Sequence, residues 1–99
     1  MLNDILRNQV LTRELEQVLE KSLHDDPYKL IVWNDNINTF DWVIVSLMEI
    51  CGHTQDQAEQ CAWIIHYKGK YVVKKGSEKK LKPMREALVE RGIGATLEQ

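Results

Sequence analysis

An apolar run at 28 to 33, YKLIVW, stops at three small polar residues, Asn34, Asp35 and Asn36, and a second run about thirty residues later stops at His66. If the two ends meet, an amide, a carboxylate and an imidazole converge on one spot. That set suits a small cationic group. An ammonium has three donors and no acceptor, so it needs an amide oxygen, a carboxylate and a neutral imidazole nitrogen around it. None of these groups is a nucleophile beside an activating base, and no catalytic set is completed elsewhere, so binding without catalysis is expected. On composition alone the plainer reading is that Asn34 and Asp35 form an Asx turn and His66 caps its helix.

Other reactive side chains say less. Cys51, His53, Cys61 and His66 can be written C-x-H-x7-C-x4-H, but that spacing matches no common zinc pattern, and two cysteines are too few for a disulfide framework. Small buried thiols in a reducing compartment are the simpler reading, so no metal and no cofactor are expected. Lys68, Lys70, Lys74, Lys75, Lys79, Lys80, Lys82 and Arg85 face a single acid, Glu78, within one stretch. Such a block could track phosphates, which keeps a small basic nucleic-acid or ribosome-associated module as the alternative function. A solvated hairpin and helix face is the preferred account, because only Tyr67 and Tyr71 offer stacking rings.

The elements that must position these residues follow from length and pattern. Ninety-nine residues close one hydrophobic core, and 43% apolar with 28% charged residues is ordinary globular composition. No apolar run approaches a membrane span and the N-terminus does not read as a signal peptide, so a cytoplasmic protein without membrane partners is expected. Residues 1–26 are separable as a partly helical N-terminal arm: Leu11, Leu15, Val18, Leu19 and Leu23 draw one apolar stripe. Pro27 then forces an extended chain into a core domain at 27–99. Tyr28 to Trp33 is a strand covered on both faces. Thr39 N-caps a helix from Phe40 to Cys51, ended by Gly52. Thr54 to Gln57 is a capping box opening a helix to about His66, with Ala58, Cys61, Ala62, Ile65 and Trp63 on its apolar side. Tyr71 to Lys74 is a second strand. A third helix begins within a turn of Pro83, near Lys79 to Lys82, and runs to Arg91 with Leu81, Met84 and Leu88 inward. Ile93 to Glu98 is a short final strand. The order is β-α-α-β-α-β, an α+β domain whose three helices pack one face of a three-stranded antiparallel sheet.

These segments, YKLIVWND at 28 to 35, FDWVIVSLMEIC at 40 to 51, the run from Gln57 to Lys70 with IHYKGK, and ATLE at 95 to 98, resemble the ClpS family. Its members are adaptors of Clp proteases that recognise substrates by their N-terminal residue. The resemblance spans essentially everything after residue 27 and implies the same strand and helix order. It implies that Asn34, Asp35 and His66 hold the substrate's free α-amino group. It also implies an apolar pocket for the first side chain at Val32, Trp33, Asn38, Phe40, Val43, Ala62, Ile65 and Ile93, taking Leu, Phe, Tyr or Trp. Glu78 and Lys80 match a contact with the N-terminal domain of an AAA+ unfoldase, of ClpA or ClpC type, and residues 1–26 match a delivery arm in position. Asn36 stands where the family usually has a second aspartate, Asn38-Thr39 replaces Thr-Pro, and Phe40 and Ala62 replace methionines. A shifted preference within the bulky set is therefore expected.

Overall fold

The computed structural model describes residues 27–99, together with Arg13 and Leu15, which are both helical. The rest of the apolar stripe expected in the arm lies outside the described residues. Six elements follow Pro27: β1 (Tyr28–Trp33), α1 (Phe40–Cys51), α2 (Gln55–Lys68), β2 (Lys70–Gly76), α3 (Glu78–Glu90) and β3 (Ala95–Glu98). The sheet has the order β2-β1-β3, with both pairings antiparallel. Three helices and a three-stranded antiparallel sheet are the architecture expected from the residues.

β1 is central, and Leu30, Ile31 and Val32 are all buried, which a strand with neighbours on both sides and β-branched side chains readily adopts. Against β2 its register shifts between Leu30, opposite Lys74, and Ile31, opposite Val72. This bulge leaves Val73 without a partner on β1. Leu30 and Val32 share one face and meet Leu47, Cys51, Ala58, Cys61, Ile65, Leu81, Leu88 and Ile93 in a single cluster. Truncating one of its leucines to alanine would cost about 2–5 kcal/mol.

Local signals set the helix ends. The Thr39 hydroxyl accepts from the Trp42 amide at 3.1 Å, and Gly52 closes α1 at φ 73°, where a side chain would be strained. The capping box at α2 is complete, with Gln57 N–H to Thr54 Oγ1 at 3.2 Å and Thr54 N–H to Gln57 Oε1 at 3.1 Å. Several boundaries differ from expectation: α2 runs on to Lys68, and β2 spans Lys70–Gly76, longer at both ends. α3 starts at Glu78, capped by the Ser77 hydroxyl, so Pro83 sits sixth in the helix, deeper than its missing N–H suggested. β3 starts at Ala95, because the Ile93 amide still bonds back to Leu88 O at 3.0 Å and closes the end of α3.

Candidate functional site

The ends of β1 and α2 do meet. The Asn34 amide donates to Gly69 O at 2.8 Å, directly joining the residue after β1 to the residue after α2, while the Trp33 amide donates to Gly94 O at 2.9 Å. Gly69 makes this possible by taking φ 86° and returning its own amide to Ile65 O. A cleft of about 330 Å³ lies at this junction, lined by Asn34, Asp35, Asn36, Asn38, Thr39, Phe40, Val43, Ala62, Ile65 and His66. Its size falls at the low end of small-ligand sites.

Ala62 and Ile65, both buried, are the apolar lining from α2, and the half-buried Phe40 and Val43 contribute the side from α1. His66 is exposed, with its ring edge-on to Phe40 at 5.4 Å between centroids. It belongs to the last turn of α2, where unpaired carbonyls give a partial negative charge that favours a cation.

Asp35 organises the loop between β1 and α1. Its Oδ1 accepts from the amides of Ile37 at 2.8 Å and Asn38 at 2.7 Å, and its Oδ2 accepts from Asn38 Nδ2 at 2.7 Å. The Asn38 hydrogen bonds, backbone and side chain, and then the Ile37 amide hold the Asp35 carboxyl below its usual range, against the opposing effect of burial. Asn38 Nδ2 also donates to Gly92 O at 2.8 Å, tying the loop to the turn after α3. The Asx turn and the binding arrangement are thus compatible, since a carboxylate has about four acceptor sites and three are used.

Three residues expected in the pocket, Val32, Trp33 and Ile93, are not among those lining the cleft. Val32 and Ile93 are buried in the core cluster, each 1% exposed. Trp33 donates its indole N–H to Thr96 Oγ1 at 2.9 Å and lies under Lys70 Nζ, 4.7 Å from the ring. Val32 and Ile93 stand behind the residues that open to the cleft, a distinction that residue type alone does not reveal, while Trp33 is itself partly open to solvent. Thr39 lines the cleft although its sequence signal was only that of a helix cap. Trp63, expected inward, is 51% exposed and stacks on Tyr67.

The remaining candidates stand apart from the cleft. Glu78 and Lys80 are exposed on the first turn of α3. The basic block is not a free row, because Lys74 Nζ donates to Cys51 O at 2.7 Å and Lys70 covers Trp33. Cys51 and Cys61 are free and buried, and burial pushes the Cys51 thiol up to about 11. Among the described residues no three His, Cys, Asp or Glu side chains cluster as a metal site, and no helix is long and apolar enough to cross a membrane.

Residues 23–96 match the family described as ATP-dependent Clp protease adaptor protein ClpS. The chain belongs to the ClpS family. Its relatives include the Clp protease adapter ClpS of Streptomyces coelicolor, 31% identical over 88 residues that cover 89% of this chain and 92% of the relative. The ClpS adapter of Thermosynechococcus vestitus is 35% identical over 85 residues, covering 85% of this chain and 88% of that protein. The fold is similar to that of Agrobacterium tumefaciens ClpS2 solved bound to L-phenylalaninamide, with a TM-score of 0.62 and 24% identity over 73% of this chain and 94% of that one. ClpS proteins are adaptors of the Clp protease and not enzymes.

Proposed function

We propose that this ClpS-family adaptor binds the free α-amino group and bulky first side chain of N-degron substrates and delivers them to an AAA+ Clp unfoldase in the cytoplasm. The observation that carries the reading is the polar rim of Asn34, Asp35 and His66 around an apolar cleft lined by Phe40, Val43, Ala62 and Ile65. The rim supplies acceptors to an ammonium, and the floor takes the hydrocarbon of Leu, Phe, Tyr or Trp. The solved Agrobacterium relative carries L-phenylalaninamide, a molecule with a free amine and a benzyl side chain. Burying such a side chain gives about 1.5–3 kcal/mol and each charge-assisted hydrogen bond a similar amount. After the cost of association, affinity near micromolar is expected, roughly −8 kcal/mol.

Exposed Glu78 and Lys80 at the start of α3 are the proposed contact with the unfoldase's N-terminal domain, of ClpA or ClpC type, with residues 1–26 as the delivery arm. The binding reading is tested with one peptide beginning in Phe, offered with a free amine and N-acetylated. Micromolar binding of the first and at least tenfold weaker binding of the second are expected. Equal binding of both, or of neither, overturns it.

A further inference from the structure

Trp63 and Tyr67 stand four residues apart on α2, on one helix face, and their rings stack with centroids 5.5 Å apart and planes 16° apart. Both are exposed, at 51% and 76%. The Trp63 ring also meets Phe40 at 4.8 Å and His66 at 6.5 Å, while His66 meets Tyr67 at 5.4 Å. Phe40 and His66 line the cleft, whereas Trp63 and Tyr67 lie beyond it. The aromatic surface therefore begins at the rim of the cleft and continues out of it along α2.

We infer that the exposed Trp63–Tyr67 surface receives the second side chain of a bound N-terminal segment and favours an aromatic residue there. The inference rests on the amine and first-side-chain reading above. That reading fixes the first residue at two points, its amine at Asn34, Asp35 and His66 and its side chain beside Phe40, Val43, Ala62 and Ile65. The next Cα is then about 3.8 Å away, and rings centred 5.4 to 6.5 Å from the His66 imidazole are within reach of its side chain. Aromatic rings gain offset or edge-to-face contacts on such a surface, while a carboxylate meets the negative ring faces. A cationic side chain is also drawn to ring faces. Here, however, residues 63 to 70 carry Lys68 and Lys70 and no acid, and Glu59, one turn before Trp63, already accepts from Gln55 Nε2, so a cation is favoured less than a ring.

The test measures fluorescence anisotropy of C-terminally labelled peptides that begin Phe-Trp, Phe-Ala or Phe-Lys and are otherwise identical, using the full chain. Phe-Trp is expected to bind about three- to tenfold more tightly than the other two. In Trp63→Ala that ratio falls to near one, and in Trp63→Phe most of it is kept. Equal affinities for the three peptides in the unsubstituted protein, with each still requiring its free amine, overturn the inference alone. So does a tighter Phe-Lys, or a ratio undiminished in Trp63→Ala. If N-acetylated and free-amine Phe-Ala bind equally, the amine reading fails and this inference fails with it. The ratio in the unsubstituted protein decides the matter without depending on the folding of a variant.

Discussion

Asp35 accepts three hydrogen bonds from its own loop, and the acceptor capacity left over is what an incoming ammonium would use. Its carboxyl is held below the usual range chiefly by Asn38, so it remains ionised well into acid. The stability it contributes is fully present above the unfolded carboxyl value, about 3.9, and is lost only as pH falls through the lower folded value. Weakening of peptide binding between pH 7 and 5 would therefore not come from Asp35. Asp35→Asn removes the charge and turns an NH2 group toward either Ile37 and Asn38 N–H or Asn38 Nδ2. Affinity for a Phe-starting peptide should drop by at least about tenfold, the value of a hydrogen bond to a charged group. Affinity within twofold of the original, measured by anisotropy, would remove Asp35 from the site. Asn38 shows what a substitution can conceal in sequence. It stands where the resemblance leads one to expect threonine, and its amide bridges Asp35 and Gly92, a connection visible only once the chain 54 positions further on has folded back.

The site depends on two element ends held together through Gly69. Its carbonyl receives the Asn34 amide and its φ of 86° lets α2 stop within the turn that carries His66 to the cleft. A Cβ at Gly69 would meet nothing within 4 Å, so Gly69→Ala tests backbone conformation alone. The left-handed conformation costs an alanine about 1–2 kcal/mol, and a urea midpoint lowered to that extent is expected. An unchanged midpoint would show that this turn is not what fixes the end of α2. Much of this level is legible in the residues: Thr39, Gly52 and Thr54 mark helix ends by chemistry that needs only neighbours. What escaped was facing. On α2, Trp63 adjoins the buried Ala62 in sequence, yet one residue on a helix is a rotation of about 100° and carries the indole out of the core. On β1 and after α3, Val32 and Ile93 are filled into the core behind the residues that line the cleft, and an apolar type alone does not distinguish a wall from what lies behind it.

At the scale of the whole molecule, β2 is an edge strand that must be held to the corner between α1 and α2, and two polar contacts do so. His53 Nε2 pairs with Val73 O at 2.9 Å, and Lys74 Nζ donates to Cys51 O at 2.7 Å, reaching the carbonyl end of α1. Since Val73 O can only accept, the Nε2–H tautomer is required, and Nδ1 is then left unprotonated and buried, with no partner among the described residues. Burial, opposed by the Val73 hydrogen bond and reinforced by Lys74, holds the His53 imidazole below its usual range. The folded state thus resists a proton that the unfolded chain takes up near 6.5. Below that pH the unfolded state binds more protons, so the stability contributed by neutral His53 is present above about 6.5 and is lost as pH falls toward the folded value. The urea midpoint should decline between pH 7.5 and 5.5, and it should decline less in His53→Gln, whose amide can still donate to Val73 O without titrating. Parallel declines in the two proteins would assign the acid sensitivity to other groups and leave His53 as a packing residue only.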